Sequence, residues 1–230
     1  GTVLNLGAIT VNPGATVNFI LPTGTQNATN GITTSTPNNA AGILGGWARV
    51  GNNWAINSTN AVGGNITALA TYTDVSRLGG TITSSPTANV RLVDGGVTGN
   101  ITPAAVGTTD INTLLQSATV GTATYDPGTT DVLRLGDAGG IMVASNASAL
   151  TVGTTVNDGI LTAGGLADTA GTIYLTNNHA TNLLTINSTI ADNGAGIVNV
   201  TTSGPGILIL TGANTYTGRT TAGGGTLRIS

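Results

Sequence analysis

Short runs in which apolar and polar residues alternate recur along the chain, and each stops within six residues at a turn-forming residue. Residues 2–6 (TVLNL), 15–20 (ATVNFI), 89–93 (NVRLV) and 131–135 (DVLRL) show the pattern most plainly. Successive side chains of a strand point to opposite faces, so each run predicts a half-buried strand with one inward side. Further strands are predicted at residues 140–143, 171–175, 182–186, 196–200 and 206–210. Glycine and asparagine corners separate them, and nothing between them has a helical period that could serve as a crossover. Composition agrees. All six basic residues are Arg and all nine acidic residues are Asp, so the exposed helix formers Lys and Glu are absent. What remains favours strands and turns. The chain is therefore all-β, which leaves a sandwich, a barrel or a β-solenoid.

Three features favour the solenoid. The strands carry Val, Ile, Leu and Ala, with aromatics at only 3% of the chain, which suits a narrow coil interior. Thr and Asn number 44 and 24, and stacked strands about 4.8 Å apart place such side chains in hydrogen-bonded ladders. Residues 1–6 (GTVLNL) and 225–230 (GTLRIS) share an opening, as expected of a module whose end strand resembles its start. Residues 1–230 are read as one solenoid module. At about 20–25 residues per rung it would have about 10 rungs and be about 50 Å long. Open strand edges at its ends invite pairing. The expectation is thus a segment of a longer chain, or a subunit whose partners are neighbouring modules or its own copies end to end.

One region breaks the pattern, an excursion over residues 22–56. Residues 22–42 read as a long polar loop, and residues 45–56 as a hairpin turning at Gly51-Asn52-Asn53. It carries both tryptophans. Trp47 and Trp54 could stack on a surface glycan, or pair across the hairpin and seal it against the coil.

Several function classes are excluded or disfavoured. A net charge of −3 with scattered Arg disfavours nucleic acid. No apolar run approaches the roughly 20 residues of a spanning helix, and seven aromatics cannot build barrel girdles, so no membrane insertion by this segment is expected. The absence of Cys excludes a disulfide framework, and the absence of Lys excludes Schiff-base chemistry. The lone His179 lies in a polar turn without partners for a metal site or a triad. No catalytic residue, metal or cofactor is expected. The competing reading is a carbohydrate-binding or carbohydrate-cleaving β-helix using Asp126, Asp131 and Asp137, although each of these occupies a turn or a strand start, where Asp is common. A calcium nonapeptide at residues 164–168 lacks its tandem pattern, and the Thr-x-Thr spacing is too uneven for an ice-binding array.

The closing stretch is the most distinctive. Gly206, Leu208, Leu210, Gly212, Asn214, Tyr216, Gly218 and Thr220, followed by Gly225-Thr226-Leu227, fall at the offsets G-x-L-x-L-x-G-x-N-T-Y-x-G-x-T, spacer, G-T-L. Residues 204–230 thereby resemble the autotransporter-associated β-strand repeat. Residues 183–192 and the tryptophan hairpin resemble segments found between such repeats. The resemblance implies a right-handed parallel β-helix in a secreted or surface-displayed bacterial protein, serving as a stalk, adhesin or fibre. Within the motif, Gly212 and Gly218 are expected to bracket a tight excursion in which Asn214 bonds its own backbone and Tyr216 covers the coil edge.

Overall fold

The structure, a computed structural model, describes residues 1–230 and contains 24 strands and no helix. The first six strands form a mixed sheet: β1 (Val3–Asn5), β2 (Val17–Asn18), β3 (Gly31–Thr34), β4 (Ala48–Val50), β5 (Asn53–Asn57) and β6 (Gly64–Ala68), in spatial order β1-β3-β6-β5-β4-β2. The inner four are antiparallel, while β1 and β2 lie parallel to their neighbours. The excursion is thus larger than residues 22–56, and residues 1–68 stand outside the coil. The expected loop at 22–42 contains β3, whose four residues are all buried. Its polar GITT sequence gave no apolar alternation; its place comes from pairing on both sides and from Thr34 Oγ1 donating to Gly7 O at 2.8 Å. The hairpin forms where expected, with Arg49 opposite Trp54 and Val50 opposite Asn53. Gly51 takes a φ of 59° in the turn, a conformation that favours glycine.

From residue 73 the chain winds as a parallel β-helix. The first turn holds β7 (Thr73–Leu78) and β8 (Thr81–Ile82), and the second holds β9 (Asn89–Gly96), β10 (Thr102–Pro103) and β11 (Thr108–Asp110). The third has β12 (Thr113–Gln116), β13 (Ala123–Tyr125) and β14 (Val132–Leu135); the fourth has β15 (Gly140–Val143), β16 (Leu150–Val152) and β17 (Ile160–Ala163). Then follow β18 (Gly171–Asn177), β19 (Leu184–Ile186) and β20 (Thr189–Ile190), next β21 (Val198–Ser203) and β22 (Ile207–Leu210), and last β23 (Thr220–Ala222) and β24 (Thr226–Ile229). One side is the seven-stranded sheet β23-β21-β18-β15-β12-β9-β7, the second is β11-β14-β17-β20, and the third is β13-β16-β19-β22-β24. The pair β8–β10 extends the third side through the Ile101–Tyr125 bridge. The stack is seven strands deep, about 30 Å at about 4.8 Å per strand, and not the expected ten rungs. The difference comes from the residues spent on the lobe and from unequal turns, the longest running from Ile141 to its neighbour Leu175.

Strand alternation fills the interior. Ala123, Leu150, Leu184, Leu208 and Leu227 stack in one column, and Tyr125, Val152, Ile186, Leu210 and Ile229 in the next. Each fully buried aliphatic side chain contributes about 1.5–3 kcal/mol, and this repeated burial holds the rungs together. Tyr125 is wholly enclosed, and burial pushes its phenol up to about 12. At a corner, Asn177 Nδ2 donates to Asn182 O (2.9 Å) and Ile207 O (2.8 Å) while its Oδ1 accepts from His179 N, so a buried amide closes the turn.

The N-terminal lobe lies along the outside of the seven-stranded sheet. Asn89 Nδ2 donates to Ala41 O at 2.8 Å near one end. Gly46 N donates to Ala138 O (2.7 Å), and Asn52 exchanges hydrogen bonds with Ser145, farther along. At the other end Gly14 packs on Thr221 so closely that a Cβ there would stand 2.5 Å from Thr221 Oγ1. The middle of the sheet is therefore covered on both faces, which is why Thr113–Gln116 and Gly140–Val143 are buried at all four positions.

Candidate functional site

The repeat motif forms the final rungs. Leu208 and Leu210 point into the coil and are buried, Leu227 stacks on Leu208, and the half-buried Ile207 and Ile209 lie on the opposite face. The motif glycines sit against carbonyl oxygens of the preceding rung, where a side chain has no room. A Cβ on Gly212 would come 2.5 Å from Ser188 O, and those on Gly206, Gly218 and Gly225 would collide with His179 O, Val198 O and Gly206 O. Asn214 does not bond its own backbone through its side chain: its Oδ1 accepts from Ile190 N at 2.8 Å, one rung back. This partner satisfies the end of β20, whose second residue would otherwise leave an N–H unpaired. Tyr216 packs half-buried against the core and its hydroxyl bonds Thr220 Oγ1 at 2.6 Å.

The tryptophans do not form a stacking platform. Trp54 is fully buried and Trp47 is 7% exposed, so the two rings form no exposed platform together. They are not a cross-strand pair either, since Trp54 faces Arg49. Trp54 is driven into the main core beside Gly140, while Trp47 packs with Phe19 and Ile66 of the lobe and with Tyr174 of the coil.

The carboxylates considered for chemistry are tied to their own turns or to the neighbouring rung. Gly128 N donates to Asp126 (3.1 Å), Gly107 N to Asp131 (2.9 Å) and Ala138 N to Asp137 (2.8 Å). No three acidic or His side chains gather in a metal-binding group. His179 Nδ1 accepts from Thr181 N (3.1 Å) and Asn182 N (2.8 Å), ordering the turn after β18.

Carboxylates also clip rung to rung. Asp94 accepts from Thr119 N (3.0 Å), Thr119 Oγ1 (2.8 Å) and Val120 N (3.1 Å). Asp192 accepts from Thr217 Oγ1 (2.6 Å), Val198 N (2.8 Å) and Thr217 N (3.1 Å). The threonine hydroxyl in each case, helped by the backbone N–H groups, holds the carboxyl below the usual carboxylate range. None of these clips was visible in the sequence, because the partners lie a full rung apart.

Three depressions mark the surface. An apolar groove of about 410 Å³ opens in the lobe between residues 6–11 and 15–19, floored by Phe19 and Trp47. Two polar grooves flank the loop of residues 164–169. One, about 330 Å³, lies at the seam between lobe and coil and includes Asn39, Pro86 and Asp137. The other, about 280 Å³, lies over the four-stranded sheet and brings Arg134, Asp168, Asp192 and Asn193 together.

Residues 200–229 match the passenger-associated-transport-repeat family. The chain is also similar to the adhesin BmaC autotransporter of Brucella suis biovar 1 (strain 1330), with 37% identity over 238 aligned residues covering 99% of this chain and 6% of that protein. It therefore spans a small fraction of that relative's length. No solved structure matches. The repeat, the relative and the stacked parallel sheets agree: residues 200–229 form a passenger-associated-transport repeat at one end of a parallel β-helix, in a chain that is similar to part of an autotransporter adhesin and is extracellular or on the cell surface.

Proposed function

We propose that the chain is a non-catalytic structural module of a bacterial surface adhesin, building a stalk or fibre that extends by adding rungs at the edge of β23 and β24. The carrying observation is that the rungs stack in one register, with inner columns running unbroken from Ala123 to Leu227 and from Tyr125 to Ile229, so that each rung templates its neighbour. The relative's designation as an adhesin supports the surface role. The non-catalytic reading is supported by the local bonding of Asp126, Asp131 and Asp137.

Electron microscopy of the purified segment over a concentration series, with light scattering on the same samples, tests the stacking. Rods that lengthen with concentration are the expected result. A discrete monomer at all concentrations would remove self-stacking and leave the edge to neighbouring modules. Antibody labelling of intact cells tests the display, and label only after lysis would reject it.

A further inference from the structure

We propose that the groove over the four-stranded sheet binds a neutral, hydroxyl-rich saccharide, with Asp168 and Arg134 as its polar contacts. This rests on the adhesin reading for where the sugar is met, and goes beyond it by naming a site and a ligand class. The floor is aliphatic, with Val132 and Ile160 adjacent on the outer face of β14 and β17. Arg134 spans the middle. Its Nε donates to Asp110 Oδ1 at 2.7 Å and its Nη1 lies 3.5 Å from Asn193 Oδ1, which fixes the guanidinium and leaves Nη2 with no protein acceptor. On the wall, Asp168 uses one oxygen to accept from Ala195 N at 2.9 Å, and the other accepts nothing from the protein. Asp168 holds this place with a φ of 59°, off the regular strand path. A free acceptor and a free donor thus face one depression with an aliphatic floor. Adjacent hydroxyls of a sugar can donate to the first and accept from the second, and the C–H face of the ring can rest on Val132 and Ile160.

Charge selects among sugars. Arg134 is neutralised by Asp110, so Asp168 and Asp192 leave the groove negative, and sulfated or carboxylated glycans are repelled. Asp192 is already occupied by Thr217 and Val198, so it contributes field more than contacts. At about 280 Å³ the groove holds about one to two sugar rings. Such a shallow contact corresponds to a dissociation constant of about 1 mM, and copies repeated along a stalk would lower the apparent value through avidity.

The test is saturation-transfer NMR and titration of the purified chain with cellotetraose, mannotriose and N-acetyllactosamine, beside a heparin hexasaccharide and chitotriose with free amines. Binding of a neutral probe is expected, weakened about tenfold or more in Asp168→Asn, which keeps the acceptor for Ala195 N, and in Ala167→Tyr, which fills the groove from an exposed position. Circular dichroism and melting establish that both variants are folded. No binding by any neutral probe, binding of the heparin or free-amine probe alone, or binding unchanged in both variants would each overturn the proposal. A chain that binds sugar yet is never labelled on intact cells rejects the display reading alone. A chain that is displayed and binds none of the probes rejects this site alone.

Discussion

Asp192 receives both the backbone N–H and the hydroxyl of Thr217 from the next rung, joining two turns of the coil through one carboxylate. Asp94 does the same with Thr119 near the other end. Both carboxyls are held below the ordinary range in the folded chain. A lowered folded pKa means the stabilisation is fully present above the unfolded value of about 3.9 and is lost as pH falls through the folded value. The melting temperature should therefore fall as pH drops from about 5 to below 3. Asp192→Asn should be less stable than wild type at neutral pH and show a shallower fall in acid. An equally steep acid fall in Asp192→Asn/Asp94→Asn would show that other groups control it.

The inner and outer columns of the third sheet should respond differently to truncation. Leu184→Ala opens a cavity among Leu150, Ile186 and Leu208 and should cost about 2–5 kcal/mol in chemical denaturation. Ile209→Ala, on the half-exposed face, should cost about 1 kcal/mol or less. Equal costs would contradict the assigned alternation.

The repeat motif should fail by steric conflict as well as by lost hydrogen bonds. Gly218→Val forces a branched side chain against Val198 O and should cost about 1–3 kcal/mol. Asn214→Ala removes the acceptor of Ile190 N and should cost about 1–3 kcal/mol. Hydrogen exchange should locate the loss in both variants at β20 to β24, with β9 to β15 unchanged.

The lobe should detach without unwinding the coil. Trp54→Ala removes the fully buried tryptophan that joins the two and should cost about 3–5 kcal/mol. Faster exchange in residues 31–68 than in the coil is expected. Uniform loss would mean that lobe and coil fold as one cooperative unit.

Much of the coil was readable from local pattern. β14, β15 and β22 fall almost where alternation placed them, because an inward face of two or three aliphatic residues is recorded within four or five residues of sequence. β3 was not, since its burial is imposed by strands on either side. The tryptophans were located in the correct hairpin, but their fate depends on Gly140, which makes room for Trp54 from far along the chain. The saccharide groove was illegible for the same reason. Asp168 and Arg134 are ordinary turn and strand residues until successive rungs bring them to one side.

The contact of Gly14 with Thr221 has a consequence for the order of assembly. Rungs close between neighbouring turns, so each can zip onto the last as soon as about two turns are present, and contacts this local form quickly. The lobe, although it is first in the chain, finds its last partner only near the other terminus. It should be the slow phase of refolding, a splint laid down after the coil it braces has been wound.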